Sequence, residues 1–154
     1  MIWLTVALPE IWSEFVLVGD RLEPEYITER LGLSPSRGGR VGDPIIAGKG
    51  KRLTNAWILS IGPERSYALD EQIDRLIAQL KPKTGQIVGL REELEVELRL
   101  YCAVYIADET PAIWFSPGAV AWAGQVGASI GVDLYITDAA SLRPTLGIRD
   151  SPPH

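Results

Sequence analysis

A chain of 154 residues, 46% of them hydrophobic and five of them Trp, is a single domain of ordinary size with enough apolar material for a core that needs no covalent staple. One cysteine, Cys102, excludes a disulfide framework, while the only histidine, His154 at the very end, excludes an internal Ser-His-Asp or Cys-His nucleophile and leaves a structural zinc without ligands. The net charge of −5 is uneven: Arg37, Arg40, Lys49, Lys51 and Arg52 face only Asp43 within residues 37–52, a local +4 against −9 elsewhere.

Residues 1–8 are apolar, lack a basic leader and stop at Pro9-Glu10, too short a stretch to span a bilayer. We expect an arm or an extra edge strand over residues 1–12. Residues 14–19 read as a short strand, after which Leu22, Tyr26, Ile27 and Leu31 recur at helical spacing. Pro24 suits the first turn of that helix and Gly32 the left-handed residue beyond it. Residues 36–54 are rich in Gly and basic residues, and we place one short strand at 40–43 followed by a loop. In the next strand, 55–61, Trp57, Leu59 and Ile61 share a face and Gly62-Pro63 ends it.

Leu69, Ile73, Leu76, Ile77 and Leu80 then make the cleanest helical stripe in the chain, opposed by Asp70, Glu71, Asp74, Arg75 and Gln79. Lys81-Pro82-Lys83 breaks it, and 84–93 reads as a weaker helix. From Leu94 to Ile106 the chain alternates: Leu94, Val96, Leu98, Leu100, Cys102, Val104 and Ile106 on one side, Glu95, Glu97, Arg99, Tyr101, Ala103 and Tyr105 on the other. That is a long strand with one dry face. Cys102 falls on the dry side, so we expect a buried thiol. A turn at 108–111 and a short strand at 112–115 lead to Ser116-Pro117, an N-cap followed by proline, and a helix to about Ser129. Val132, Leu134 and Ile136 alternate with Asp133, Tyr135 and Thr137 in the last strand, and a tail follows from Asp138.

The predicted class is α+β. The first six elements have the βαββαβ order of a ferredoxin-like core, extended by a further helix and strand into a two-layer sandwich. One-sided strands imply a mixed or mostly antiparallel sheet with helices on one face. A single domain would occupy residues 1–137, with the tail at 138–154.

Two surfaces stand out. The polar side of the long strand would expose Arg99, Tyr101 and Tyr105, joined by Asp133 and Tyr135 if the last strand lies beside it; aromatic rings with an arginine are common at protein contacts and on single-stranded nucleic-acid platforms. Cross-strand pairing explains the same residues about as well. The second surface is the basic loop, Arg37, Arg40, Lys49, Lys51 and Arg52. Its glycines do not have the spacing of a phosphate-binding P-loop, but its amides and cations suit a phosphate or an acidic protein surface. Glu92, Glu93, Glu95 and Glu97 read as a solvated edge, with no opposing carboxylate for acid and base work. We read the five Trp as core or near-core residues; two or more on the open sheet face would mark a contact site.

Several segments together are similar to a known family: residues 14–19, the run 22–35 ending in Leu-Gly-Leu-Ser-Pro, Gly42-Asp43, the Trp57 strand, the amphipathic helix after Leu69, and Gly-Ala-Ser-Ile-Gly-Val-Asp-Leu-Tyr at 127–135. The chain resembles the bacterial domain of unknown function 4279 over about residues 14–137. In that family a Trp often precedes the Gly-Asp pair, where Arg40-Val41 stand here. The resemblance implies no activity and no cofactor; by association with related small bacterial proteins it implies an immunity-type role.

We therefore expect a non-enzymatic cytoplasmic protein that binds a protein partner or a second copy of itself, with no metal and no membrane attachment. The alternative is a sensing module whose Gly-rich loop closes over an anionic ligand beside Arg37 and Arg40. Nucleic acid is disfavoured by the acidic remainder of the chain.

Overall fold

The computed structural model describes residues 6–45 and 50–138. Lys49, Trp3 and nearly all of the predicted tail lie outside them. Strand β1 (Glu10–Val18) is buried along almost its whole length on both sides. It starts four residues before the expected Glu14, inside the segment expected to be an arm. A central strand covered on both faces loses the alternation that marks a half-exposed one. Helix α1 (Pro24–Leu31) has its proline in the first turn, and Gly32, at φ 64°, caps it by donating its N–H to the Thr28 carbonyl at 2.8 Å.

Strand β2 is Arg37–Gly39, three residues before the expected position. The reason is steric: a Cβ on Gly38 would lie 2.4 Å from the Ala56 carbonyl oxygen, so only glycine lets the two backbones meet in this register. The segment expected to be a strand is a turn instead. The Asp43 carboxylate accepts the Arg40 N–H at 2.8 Å, and the Asp43 N–H returns to the Arg40 carbonyl. Strand β3 (Ala56–Arg65) runs through Gly62-Pro63 rather than ending there. Its pairing with β1 slips between Ile11 and Ser13, a bulge, and a bulge is where a strand admits proline.

Helix α2 (Leu69–Leu80) buries the whole predicted stripe. A 3₁₀ turn over Lys81–Lys83 joins it to α3 (Thr84–Leu94), which ends at Glu95 in the left-handed region. Leu94 is thus the end of a helix, and β4 is Glu97–Ile106, shorter at its start than the alternation suggested. No strand forms over residues 112–115. Helix α4 (Pro117–Val126) begins with Ser116 Oγ accepting the Ala119 N–H at 3.1 Å, and it stops short of Ser129 at Gly127. The freed residues begin β5 (Ser129–Ile136).

Gly127 has φ 77°, and a Cβ there would fall 1.6 Å from the Arg91 guanidinium, which donates to the Val126 carbonyl at 2.8 Å. Gly127→Ala should cost about 2 kcal/mol, from left-handed strain and a displaced charged hydrogen bond. Urea denaturation checks this; a loss under about 0.5 kcal/mol would mean that Arg91 simply swings away.

Among the described residues the strands form one mixed sheet in the order β2-β3-β1-β4-β5. Every neighbouring pair is antiparallel except β4 with β5. Phe15, Leu17, Trp57, Leu98, Leu100, Cys102 and Val104 share one core with Leu31, Leu76, Leu90, Trp122 and Val126 of the four helices. Trp12, Tyr101 and Ala103 form a separate cluster, and Val16, Ala56 and Ile58 another. Strand parity puts these two clusters on the sheet face turned away from the helices.

Candidate functional site

On that second face, where Trp12, Val16, Ile58, Tyr101 and Ala103 are all buried, the register sets Ala103 beside Asp133 and Tyr105 beside Tyr135. The Tyr101 hydroxyl donates to the Asp133 carboxylate at 2.6 Å and the Tyr135 hydroxyl to the same oxygen at 3.2 Å. Tyr105 and Tyr135 stack with centroids 4.8 Å apart. Four of the five residues nominated on this face therefore come together. Arg99 does not join them. It lies two residues from Glu97 on the same strand face and donates to both oxygens of that carboxylate at 3.0 Å, holding it below the ordinary carboxylate range.

Tyr101 departs from expectation in another way. It is only 4% exposed, because Trp12, Ala103 and the flanking tyrosines close over it. Its phenol is held above the ordinary tyrosine range, chiefly by burial and then by the Asp133 carboxylate. Tyr135 is raised as well, again chiefly by burial. Near neutral pH both phenols are thus hydrogen-bond donors beside one carboxylate, a group suited to recognition by stacking and hydrogen bonding.

Trp12 belongs to this cluster and was missed. Its indole N–H donates to Glu10 at 3.4 Å. Extending the alternation of β1 backward from Glu14 by one pair would have put Trp12 on the open side. Of the remaining tryptophans, Trp57 and Trp122 are core and Trp114 is exposed in the loop before α4. A cleft of about 250 Å³ opens beside the cluster, lined by Glu10, Pro63, Glu64 and Arg65.

Next to the aromatic cluster lies a buried ion pair. Glu14, 2% exposed, accepts from Arg37 at 2.5 Å across the width of β3. Arg40 pairs with Glu25, whose carboxyl it holds below the usual range. The two arginines expected to grip an anion are therefore engaged by carboxylates of the same chain. Lys51 is exposed and Arg52 half-buried beside Gly39.

The acidic run is divided among partners. Glu93 accepts from Tyr26 and Arg30, and Glu95 lies 3.7 Å from Arg21. Cys102 is on the core side near Ser13, its thiol pushed up to about 12 by burial, which keeps it protonated at neutral pH. Among the described residues no helix is long and apolar enough to cross a membrane.

The family model described as Domain of unknown function (DUF4279) matches residues 9–137, most of the chain. No curated protein and no solved structure matches.

Proposed function

The chain belongs to the DUF4279 family, and from that premise we propose that it is a non-enzymatic binding protein whose open sheet face receives a protein partner. One observation carries the reading: on the side of the sheet away from the helices, the partly exposed rings of Tyr105 and Tyr135 stack beside Asp133, backed by buried Trp12 and Tyr101. Tyr105 and Tyr135 supply the contact area, with Trp12 and Tyr101 buried behind them, and tyrosine is enriched where proteins meet. We read the scaffold as a ferredoxin-like core in two layers, extended by α4 and β5; the βαββαβ succession and the order β4-β1-β3-β2 support that reading. A lone cysteine without a disulfide partner supports a cytoplasmic setting. In the immunity-type version the partner is a toxin encoded nearby.

The test is affinity capture from the native host, with Arg99→Ala and Tyr135→Ala on the face and Lys51→Ala in the basic loop. We expect one protein to be retained by the parent chain and by Lys51→Ala, and its recovery to fall at least tenfold with Tyr135→Ala. Equal recovery by all three variants would remove the face from consideration.

A further inference from the structure

The two edges of the sheet are unlike. At one end β2 has three residues, two of them glycine, beside an arginine-rich turn. Short, charged edges of this kind resist pairing with other chains. At the other end β5 has eight residues, Ser129–Ile136, with no proline, lysine or arginine. Among the described residues its only strand neighbour is β4.

The backbone of β5 has a definite polarity. Thr137 donates its N–H to the Ile106 carbonyl of β4 at 2.8 Å. Amide direction alternates along a strand. The peptide groups of Asp133 and Tyr135 therefore turn inward toward β4, and those of Ile130, Val132, Leu134 and Ile136 turn outward. The same residues carry their side chains on the helix-side flank of the edge, where Ile130 is 39%, Leu134 56% and Ile136 89% exposed. Outward hydrogen-bonding groups and exposed apolar side chains thus coincide, with no charged side chain among them.

We propose that β5 pairs antiparallel with β5 of a second copy across a two-fold axis, making one continuous sheet through the two protomers. The pattern of the edge selects both partner and register. An axis perpendicular to the sheet requires like faces to meet, so only even-sum registers are allowed. Centring on Asp133 would set two carboxylates directly opposite each other, which is disfavoured. Centring on Val132 sets Asp133 opposite the partner's Gly131, which has no side chain. It also sets Ile130 opposite the partner's Leu134 and Val132 opposite the partner's Val132. The apolar side chains at 130, 132 and 134 then meet apolar ones, the 130/134 pair twice by symmetry and the 132 pair once on the axis. A second copy therefore fits this strand without adding any charged group.

The proposal uses a different surface from the open-face reading and is tested apart from it. The experiment is light scattering on the eluting full chain over a hundredfold concentration series, with Leu134→Lys, Val132→Pro and Arg99→Ala run beside the parent. Lysine guards natural edges, and proline at 132 removes an outward N–H while sparing the ladder to β4. We expect a dimer for the parent and for Arg99→Ala. Both edge variants should be folded by circular dichroism and should dissociate at concentrations at least tenfold higher. A monomeric parent throughout the series overturns the proposal, including the case where β5 amides resist hydrogen exchange because the same chain covers them. A dimer that both edge variants leave intact overturns it equally.

Discussion

Arg37→Ala is expected to lower the stability of the folded chain by about 3 to 5 kcal/mol, the range for removing one partner of a buried ion pair. Glu14 lies in the middle of the sheet at 2% exposure, and the Arg37 side chain, itself 12% exposed, reaches it across β3 at 2.5 Å. Both charges lost their water on folding. Once the guanidinium is gone, the carboxylate keeps its desolvation cost without its nearest compensation. The double variant Arg37→Met/Glu14→Leu should recover most of the loss, because a well-packed apolar pair replaces an ion pair at little net cost. Urea denaturation of the two variants beside the parent checks this. A single-variant loss below about 1 kcal/mol, or a double variant no better than the single, would show that other groups hold the carboxylate.

Phe15→Ala should cost a similar amount, about 3 to 5 kcal/mol, through a different cause. Phe15 is fully buried on β1, and its ring meets Trp122 of α4 at 5.3 Å and 60°. That contact joins the central strand to the helix that delivers β5. Deleting the ring leaves a cavity whose walls, two of them on rigid elements, collapse only partly. Phe15→Leu, which keeps more of the volume, should lose about 1 to 2 kcal/mol. Near-ultraviolet circular dichroism gives a second readout, since loosening around Trp122 weakens its signal. Equal losses for Ala and Leu would point to the aromatic contact rather than the volume as the source.

What the sequence disclosed follows from how one-sided each element is. The α2 stripe is buried as expected because one face is oily and the other charged, and α1 has Pro24 in its first turn and Gly32 as its C-cap because backbone geometry asks for those residue types. The errors gather where that contrast vanishes. β1 is covered on both faces, so its first four residues look like a continuation of the apolar start. β2 is glycine and arginine, with no side-chain pattern at all, and is placed by a close backbone approach that depends on Ala56. Proline at 63 signals an end in most strands, but here it accompanies a bulge.

The candidate site was half legible for a related reason. Alternation put Tyr101, Tyr105, Asp133 and Tyr135 on one side of their strands, but only the parallel register of β4 with β5 makes them neighbours. Spacing within a strand says nothing of what lies beside it. Arg99 was drawn away by Glu97, a partner two residues off whose availability the sequence did show. Tyr101 was expected in solvent and is covered by Trp12, Tyr105 and Tyr135, which pack around it from three strands.

The first strand among the described residues occupies the middle of the sheet. Glu10 pairs with Arg65 on one side and with Tyr105 on the other. During synthesis the segment that anchors the whole architecture must therefore wait, one flank bare, until two-thirds of the polypeptide has left the ribosome, and pairings so distant along the chain are slow to find each other. A nascent chain halted before β4 would leave the backbone of β1 unpaired along one edge, the kind of bare strand that invites pairing with other chains.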